Sequence, residues 1–287
     1  MRLFLLLIVL ITCANCQNSS PSYWPHPTRE TRPWTRWWWH GSALTKEGIT
    51  AELEAYRKAG LGGVEITPIY GVHGYEDKFV PFLSDEWMTL LEHTLAEAER
   101  LDMGVDMATG TGWPFGGPWV GREHASRNVV HKVFGLSAGQ KLKDKIEFIQ
   151  QPYLRTVTPK DITIEKLSQP IESNNNLQEL AIDQVQFEAS LPLVALMGYS
   201  DKGEVADLLG FVAEDNTLAW SPVSGNWKLY AIFSGWHGKM VERAGPGGEG
   251  NVIDHFSREA LEHYLSKFDE AFSNRDIKTL RAFFNDS

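Results

Sequence analysis

Residues 34–67 read WTRWWWHGSALTKEGITAELEAYRKAGLGGVEIT, and this stretch decides the fold. Trp34 to His40 is a β-prone aromatic run. Thr45 stands where a helix cap belongs, Ile49, Leu53 and Tyr56 follow at helical spacing, and Gly60 closes the helix. Gly63 to Thr67 then reads as a short strand. The next unit repeats the pattern. Ser84, Asp85 and Glu86 open a helix with Trp87, Leu90, Leu91, Leu95, Ala98 and Leu101 on one face, and Gly104 stands at its end. Val105 to Ala108 is a third strand. Strand, helix, strand, helix, strand is the signature of a parallel α/β sheet.

Toward the N-terminus, residues 17–33 (QNSSPSYWPHPTRETRP) read as an extended linker, rich in Pro, Ser and Thr. Before them, Arg2 precedes nine apolar residues, Leu3 to Ile11. That run is far below the roughly 20 residues of a spanning helix and fits a signal peptide over residues 1–16. Cys13 and Cys16 follow it directly, so a cleaved signal and a lipoprotein signal both stay open. The protein is therefore expected to be exported, to the periplasm, the cell surface or the medium, with membrane contact only through such a lipid.

Toward the C-terminus the rhythm changes. From Asn128 to Ser224 no long amphipathic helix appears, and short β-prone runs such as Val129–Val133 and Leu193–Met197 alternate with polar turns. This predicts an inserted antiparallel β module at 128–224. Trp227 to Phe233 is expected to rejoin the parallel sheet as its fourth strand. Ser257 caps a further helix, with Phe256 and Leu261 as a hydrophobic staple and Leu261, Tyr264, Leu265, Phe268 and Phe272 inward. Leu280 to Phe284 reads as a fifth strand. Residues 34–127 and 225–287 fall well short of the roughly 250 that a complete eight-stranded barrel takes. The expected fold is thus α/β: a partial (β/α)8 TIM-type barrel of about five parallel strands, interrupted by the β module. A five-stranded doubly wound sheet competes, but no Gly-rich phosphate loop follows the first strand.

Composition narrows the function. A hydrophobic share of 43% with 22% charged residues excludes wholesale disorder. Acidic residues outnumber basic ones 37 to 27, a net charge of -10, which disfavours a nucleic-acid partner. Both cysteines lie in the leader, so thiol catalysis and disulfides are not expected. Eleven tryptophans offer flat apolar faces of the kind that sugar rings stack on.

In parallel barrels the active-site residues collect where strands end. Here those ends carry Trp38 and His40, then Glu65, Thr67 and Tyr70, then TGTGWPFGGPW at 109–119, then His237, Glu242 and Glu249. Glu65 lies inside an apolar strand, where an unpaired carboxylate is costly. A histidine placed like His40 is more often a packed, hydrogen-bonded core residue than a catalyst, and at least one of Trp37, Trp38 and Trp39 reads as core. The glycine-rich stretch is no P-loop, and Gly-x-Ser-x-Gly is absent. His237, Glu242, Glu249, Asp254 and His255 match no zinc spacing; if they hold a metal, oxygen-ligated calcium comes before zinc.

RPWTRWWWHGSALTKEGITAELEAYRKAGLGGVEITPIYGV, LSDEWMTLLEHTLAEAERLDMGVDMATGTGWPFGGPWV and GEGNVIDHFSREALEHYLSKFDEA resemble glycoside hydrolase family 106, the bacterial α-L-rhamnosidases. The resemblance covers roughly 32–127 and 225–287, and more loosely the β module. It implies a barrel with inserted and appended β domains, inverting hydrolysis of terminal α-L-rhamnose by two glutamates, and an association with calcium. It implies a carbohydrate partner carrying terminal L-rhamnose, in plant or algal polysaccharides. Carried over by position, Trp38, His40, Thr109, Thr111, Trp113 and His237 are expected to bind substrate, and Glu65 and Glu249 to be catalytic. Family members are much longer, so at least one of the catalytic pair is expected beyond Ser287. The alternative is a catalytically inactive fragment or a non-catalytic sugar-binding protein.

Overall fold

The computed structural model describes residues 25–158, 161–174 and 177–285. The proposed signal segment lies outside them. The main elements are β1 (Trp34–His40), α1 (Lys46–Lys58), β2 (Gly63–Ile69), α2 (Asp85–Arg100), β3 (Gly104–Ala108), β4 (Arg127–Ser137), β5 (Leu193–Ser200), β6 (Val205–Asp207), β7 (Asn226–Trp236), α3 (Arg258–Phe272) and β8 (Leu280–Phe284).

β1, β2, β3 and β8 form one parallel sheet in that order. The three helices start where their caps predict. The hydroxyls of Thr45, Ser84 and Ser257 accept hydrogen bonds from the backbone N–H of Gly48, Trp87 and Ala260. Each satisfies an amide that the first helical turn leaves orphaned. The core lies between the helices and one face of the sheet. Trp37, Trp39, Ile49, Leu53, Ile66, Trp87, Leu91 and Met107 are buried there, with Trp39 and Trp87 centroids 5.5 Å apart.

The opposite face of the sheet is concave. Trp34 lies across the starts of β2 and β3, where a side chain on Gly63 or Gly104 would meet its ring at 2.5 or 2.3 Å. Arg281 of β8 sits 4.2 Å from the Trp34 ring, and Arg36 of β1 sits 4.8 Å from that of Phe284. β1 and β8 are opposite edges, which a flat sheet would hold about 14 Å apart. Their side chains meet because the Trp34 ring reaches over β2 and β3 and the long arginine side chains span the rest.

Four expectations are corrected. Trp227 to Phe233 does not rejoin the parallel sheet, which therefore has four strands rather than five. The segment is part of β7, central in an antiparallel sheet of order β6-β5-β7-β4. Its alternation explains this: Leu229, Ala231 and Phe233 face a second core with Leu136 and Leu196, while Lys228, Tyr230 and Ile232 do not. An apolar run looks the same whichever sheet receives it. The Phe256–Leu261 staple does not form: Phe256 is fully exposed, and Leu261 and Leu265 are also exposed. Ala260, Tyr264 and Phe268 are the buried positions of α3. Gly104 does not end α2; Asp102 supplies the left-handed residue, φ 52°, and Gly104 opens β3.

Tyr264 ties α3 to the loop after β3. Its buried hydroxyl lies 2.8 Å from the carbonyl of Thr109 and 3.2 Å from that of Gly116, both within reach of its proton. Tyr264→Phe strands these buried acceptors and should cost about 1–3 kcal/mol. Urea unfolding measures it; an unchanged midpoint would show that the hydroxyl holds nothing.

Candidate active site

Strand alternation sends Trp38 and His40 to the concave side, at the C-terminal end of β1. Trp38 is 39% exposed, while Trp37 and Trp39 on either side are buried. The Trp38 and His40 rings stack at 6.4 Å, and His40 meets Tyr70, just past β2, at 6.0 Å. Trp38 also meets Trp113, from the loop after β3, edge-on at 5.9 Å. The Arg243 guanidinium, from the loop after β7, lies 5.5 Å from the Trp113 ring and donates to the Tyr70 hydroxyl at 3.4 Å. Tyr70, His40, Trp38, Trp113 and Arg243 thus close a circuit: four rings and one cation.

Two backbone joints hold the circuit. Trp113 and Glu242 exchange N–H···O bonds of 3.1 and 3.0 Å, and the Tyr70 N–H donates to the Arg243 carbonyl at 3.1 Å. Gly112 lets the first joint close. Its φ is +58°, and a side chain there would lie 1.9 Å from the Glu242 carbonyl.

Beside the circuit a cleft of about 360 Å³ is lined by Tyr70, Arg243, Glu242 and Glu249, with Val157 and Leu177 from the β module opposite. Glu249 is half-buried there and accepts from the Gly247 N–H at 2.9 Å. Burial raises its carboxyl above the usual 4.5, against the opposing pull of backbone N–H groups at 247–249. A shift in this direction is the one that general-acid work calls for.

Glu65 lies elsewhere. Its Oε1 accepts from Arg36 at 3.0 Å and from the Thr67 hydroxyl at 3.1 Å. With Arg36, Asp106 and Arg281 it lines a separate cavity of about 260 Å³ on the concave face. Arg281 and Asp106 form a bidentate pair at that level. Glu65 and Glu249 therefore front different cavities.

The other expected residues divide. Trp38, His40 and Trp113 come together. Thr109 lies beside them but is tied to β8, its N–H donating to the Phe284 carbonyl at 2.9 Å. Thr111 is wholly buried with an unpartnered hydroxyl, packed under Gly248, and does not reach the cleft. His237 stands apart. Gln184 and Gln186 both donate to its carbonyl at 3.0 Å, and burial, then Lys239 and Arg155, lower its ring below 6.5.

Behind the cleft, Lys239 bridges Asp183 and Glu242, and Arg155 also pairs with Asp183. Burial works to raise Asp183, but its hydrogen bond with Glu242, together with Lys239 and Arg155, brings it below its usual value. Sequence reading missed Arg243, Lys239 and Asp183, since nothing local marks which cation of a loop will meet a ring from another strand. Tyr70 and Glu242 stood among the strand-end residues, which was the available signal.

The calcium expectation does not fit this arrangement. Glu242 is held by Lys239, Glu249 folds onto Gly247, Asp254 accepts from the Phe256 N–H, and His255 packs edge-on against Phe115. Among the described residues no three His, Cys, Asp or Glu side chains are grouped to hold a metal ion.

Residues 25–192 match the family model of glycoside hydrolase family 106, described as alpha-L-rhamnosidase. A protein of Formosa agariphila named "Putative beta-glucuronidase" is 25% identical over 251 residues, spanning 83% of this chain and 21% of that protein. The structure of a rhamnosidase from Novosphingobium sp. PP1Y is similar with a TM-score of 0.54 at 16% identity, over 91% of this chain and 39% of that one. The chain thus spans about a fifth and two fifths of the length of these two. The structural likeness is one of fold.

The raised Glu249 carboxyl predicts a pH-dependent stability. Its folded value exceeds its unfolded one, so its contribution is full below the unfolded value and lost as pH rises through the folded value. Glu249→Gln removes that dependence. The melting temperature of the variant should therefore gain on the parent between pH 4 and pH 7. An equal difference at both would show a solvated loop charge.

Proposed function

Because the chain belongs to glycoside hydrolase family 106, we propose that it supplies the sugar-binding cleft of a glycosidase acting on terminal α-L-rhamnose. The carrying observation is the circuit of Tyr70, His40, Trp38, Trp113 and Arg243 beside the half-buried acid Glu249. Aromatic faces suit the apolar C–H faces of a deoxy sugar. The tyrosine hydroxyl, imidazole and guanidinium supply hydrogen bonds for its hydroxyl groups.

In this reading the rings seat the sugar and Glu249 protonates the glycosidic oxygen as the bond breaks. Inversion needs a second carboxylate about 6.5–9.5 Å away, with a water between. Glu65 fronts another cavity, so we read it as a positioning residue: it holds Arg36 and Thr67 in the floor of the concave face. We also read the four-stranded sheet as part of a (β/α)8 barrel, whose strand ends carry the chemistry. The parallel order β1-β2-β3-β8 and the helices packed on one face of that sheet support this. Export, read from Leu3–Ile11, belongs to the same proposal, because polymeric glycans are met outside the cell.

Methyl α-L-rhamnoside should quench the tryptophan fluorescence of the chain, and Trp38→Ala should weaken its binding at least about tenfold, roughly 1.4 kcal/mol. In a hydrolysing polypeptide that contains this chain, Glu249→Gln should lower turnover on an α-L-rhamnoside at least about 10²-fold. Binding without any effect of Glu249→Gln on turnover would leave a sugar-binding module whose acid lies elsewhere. Absence of binding would remove the rhamnose reading.

A further inference from the structure

We infer that Thr111 is a positioning residue for Glu249: its buried side chain is the seat on which Gly248 rests, and that seat turns the neighbouring acid into the cleft. The inference rests on the reading of Glu249 as the acid of the cleft and adds what holds it there.

The loop after β7 is built of glycines where it meets the loop after β3. A turn runs from Gly245 to Gly248 and is closed by the Gly248 N–H, which donates to the Gly245 carbonyl at 2.9 Å. Both ends of that turn lie on Thr111. A side chain on Gly248 would come within 2.0 Å of the Thr111 hydroxyl oxygen and 2.6 Å of its methyl group, and one on Gly245 would touch its Cβ at 3.4 Å. The turn is held from the other side as well, where the Phe82 N–H donates to the Pro246 carbonyl at 2.8 Å. Beyond Glu249 the chain is pressed down again, since a side chain on Gly250 would lie 2.3 Å from the Gly117 carbonyl oxygen. Glu249 thus stands between two residues that sit directly on the 109–119 loop. Its own side chain is left with the cleft, which it shares with the charged groups of Glu242 and Arg243.

Thr111 does this by shape. It is wholly buried, and its hydroxyl has no hydrogen-bond partner among the described residues. A buried hydroxyl without a partner opposes folding rather than supporting it. What the residue supplies is a β-branched side chain, stiff at χ1, that fills the space under Gly248. A residue serving stability alone would be better as valine, which has the same outline without the orphaned group.

The test follows the Glu249 carboxyl of the intact chain by carboxyl NMR titration, with Glu249→Gln identifying its signal. In the parent the midpoint should lie above the ordinary carboxylate value. Gly248→Ala lifts the turn off Thr111 and should return the midpoint to that ordinary value. Thr111→Gly combined with Gly248→Ala reopens the seat and should raise it again. Thr111→Val keeps the outline and should leave the midpoint where the parent has it, with no loss of melting temperature. A midpoint unchanged in Gly248→Ala, or lowered in Thr111→Val, overturns the inference and leaves Glu249 as the cleft acid. A midpoint that drops in Gly248→Ala and does not recover in the double variant also overturns it, and places the cause in the backbone at 248. If Gly248→Ala alone does not fold, a folded double variant with the raised midpoint bears the inference out, and an unfolded one overturns it. An ordinary midpoint in the parent chain removes the cleft acid and the inference together.

Discussion

The period-two alternation of a β-strand governs this molecule, and β1 is where it acts hardest. Three consecutive tryptophans cannot share a face. Trp37 and Trp39 go under the helices, where they anchor the core against Tyr56 and Trp87. Trp38 is thereby committed to the other side, with His40 beyond it. A one-residue slip of β1 against β2 would expose two tryptophans and bury the residue that begins the cleft. Core packing and the aromatic wall are thus two results of one register, which pairs Trp38 with Thr67 and His40 with Ile69.

Below the rim the concave face is filled in layers. Trp34 rests on two glycines and carries Arg281 on its ring. Above it, Arg36, Glu65, Asp106 and Arg281 make a charged level in which each carboxylate has an arginine. The two carboxylates are the more buried partners, and each is paired with an arginine, so that together they form a polar floor. The rim above it is aromatic, with Arg243 and Glu249 as its charged groups.

Much of this was legible in the chain. The caps at Thr45, Ser84 and Ser257, the first three strands and the last, and the aromatic strand ends follow from local chemistry. Trp38, His40 and Trp113 meet because strand ends of one parallel sheet meet. What was not legible depends on partners far away in sequence. Trp227 to Phe233 is apolar whichever sheet takes it, and only pairing with Val130 to Leu136 decides. Thr111 looks like any loop threonine until Gly248 settles on it. Glu65 is an acid in an apolar strand under either reading, and Arg36, from the neighbouring strand, makes it part of the floor.

The joint between Trp113 and Glu242 has one more consequence. β7 belongs to the antiparallel sheet, yet the loop that leaves it delivers Arg243 and Glu249 to the rim of the parallel one. Gly112 fits so tightly against that loop that the two sheets share a backbone seam. The β module therefore does not behave as a detachable cassette. Grafting it from a relative would transplant half of the cleft along with it, and sequence drift on either side of the seam has to be matched on the other.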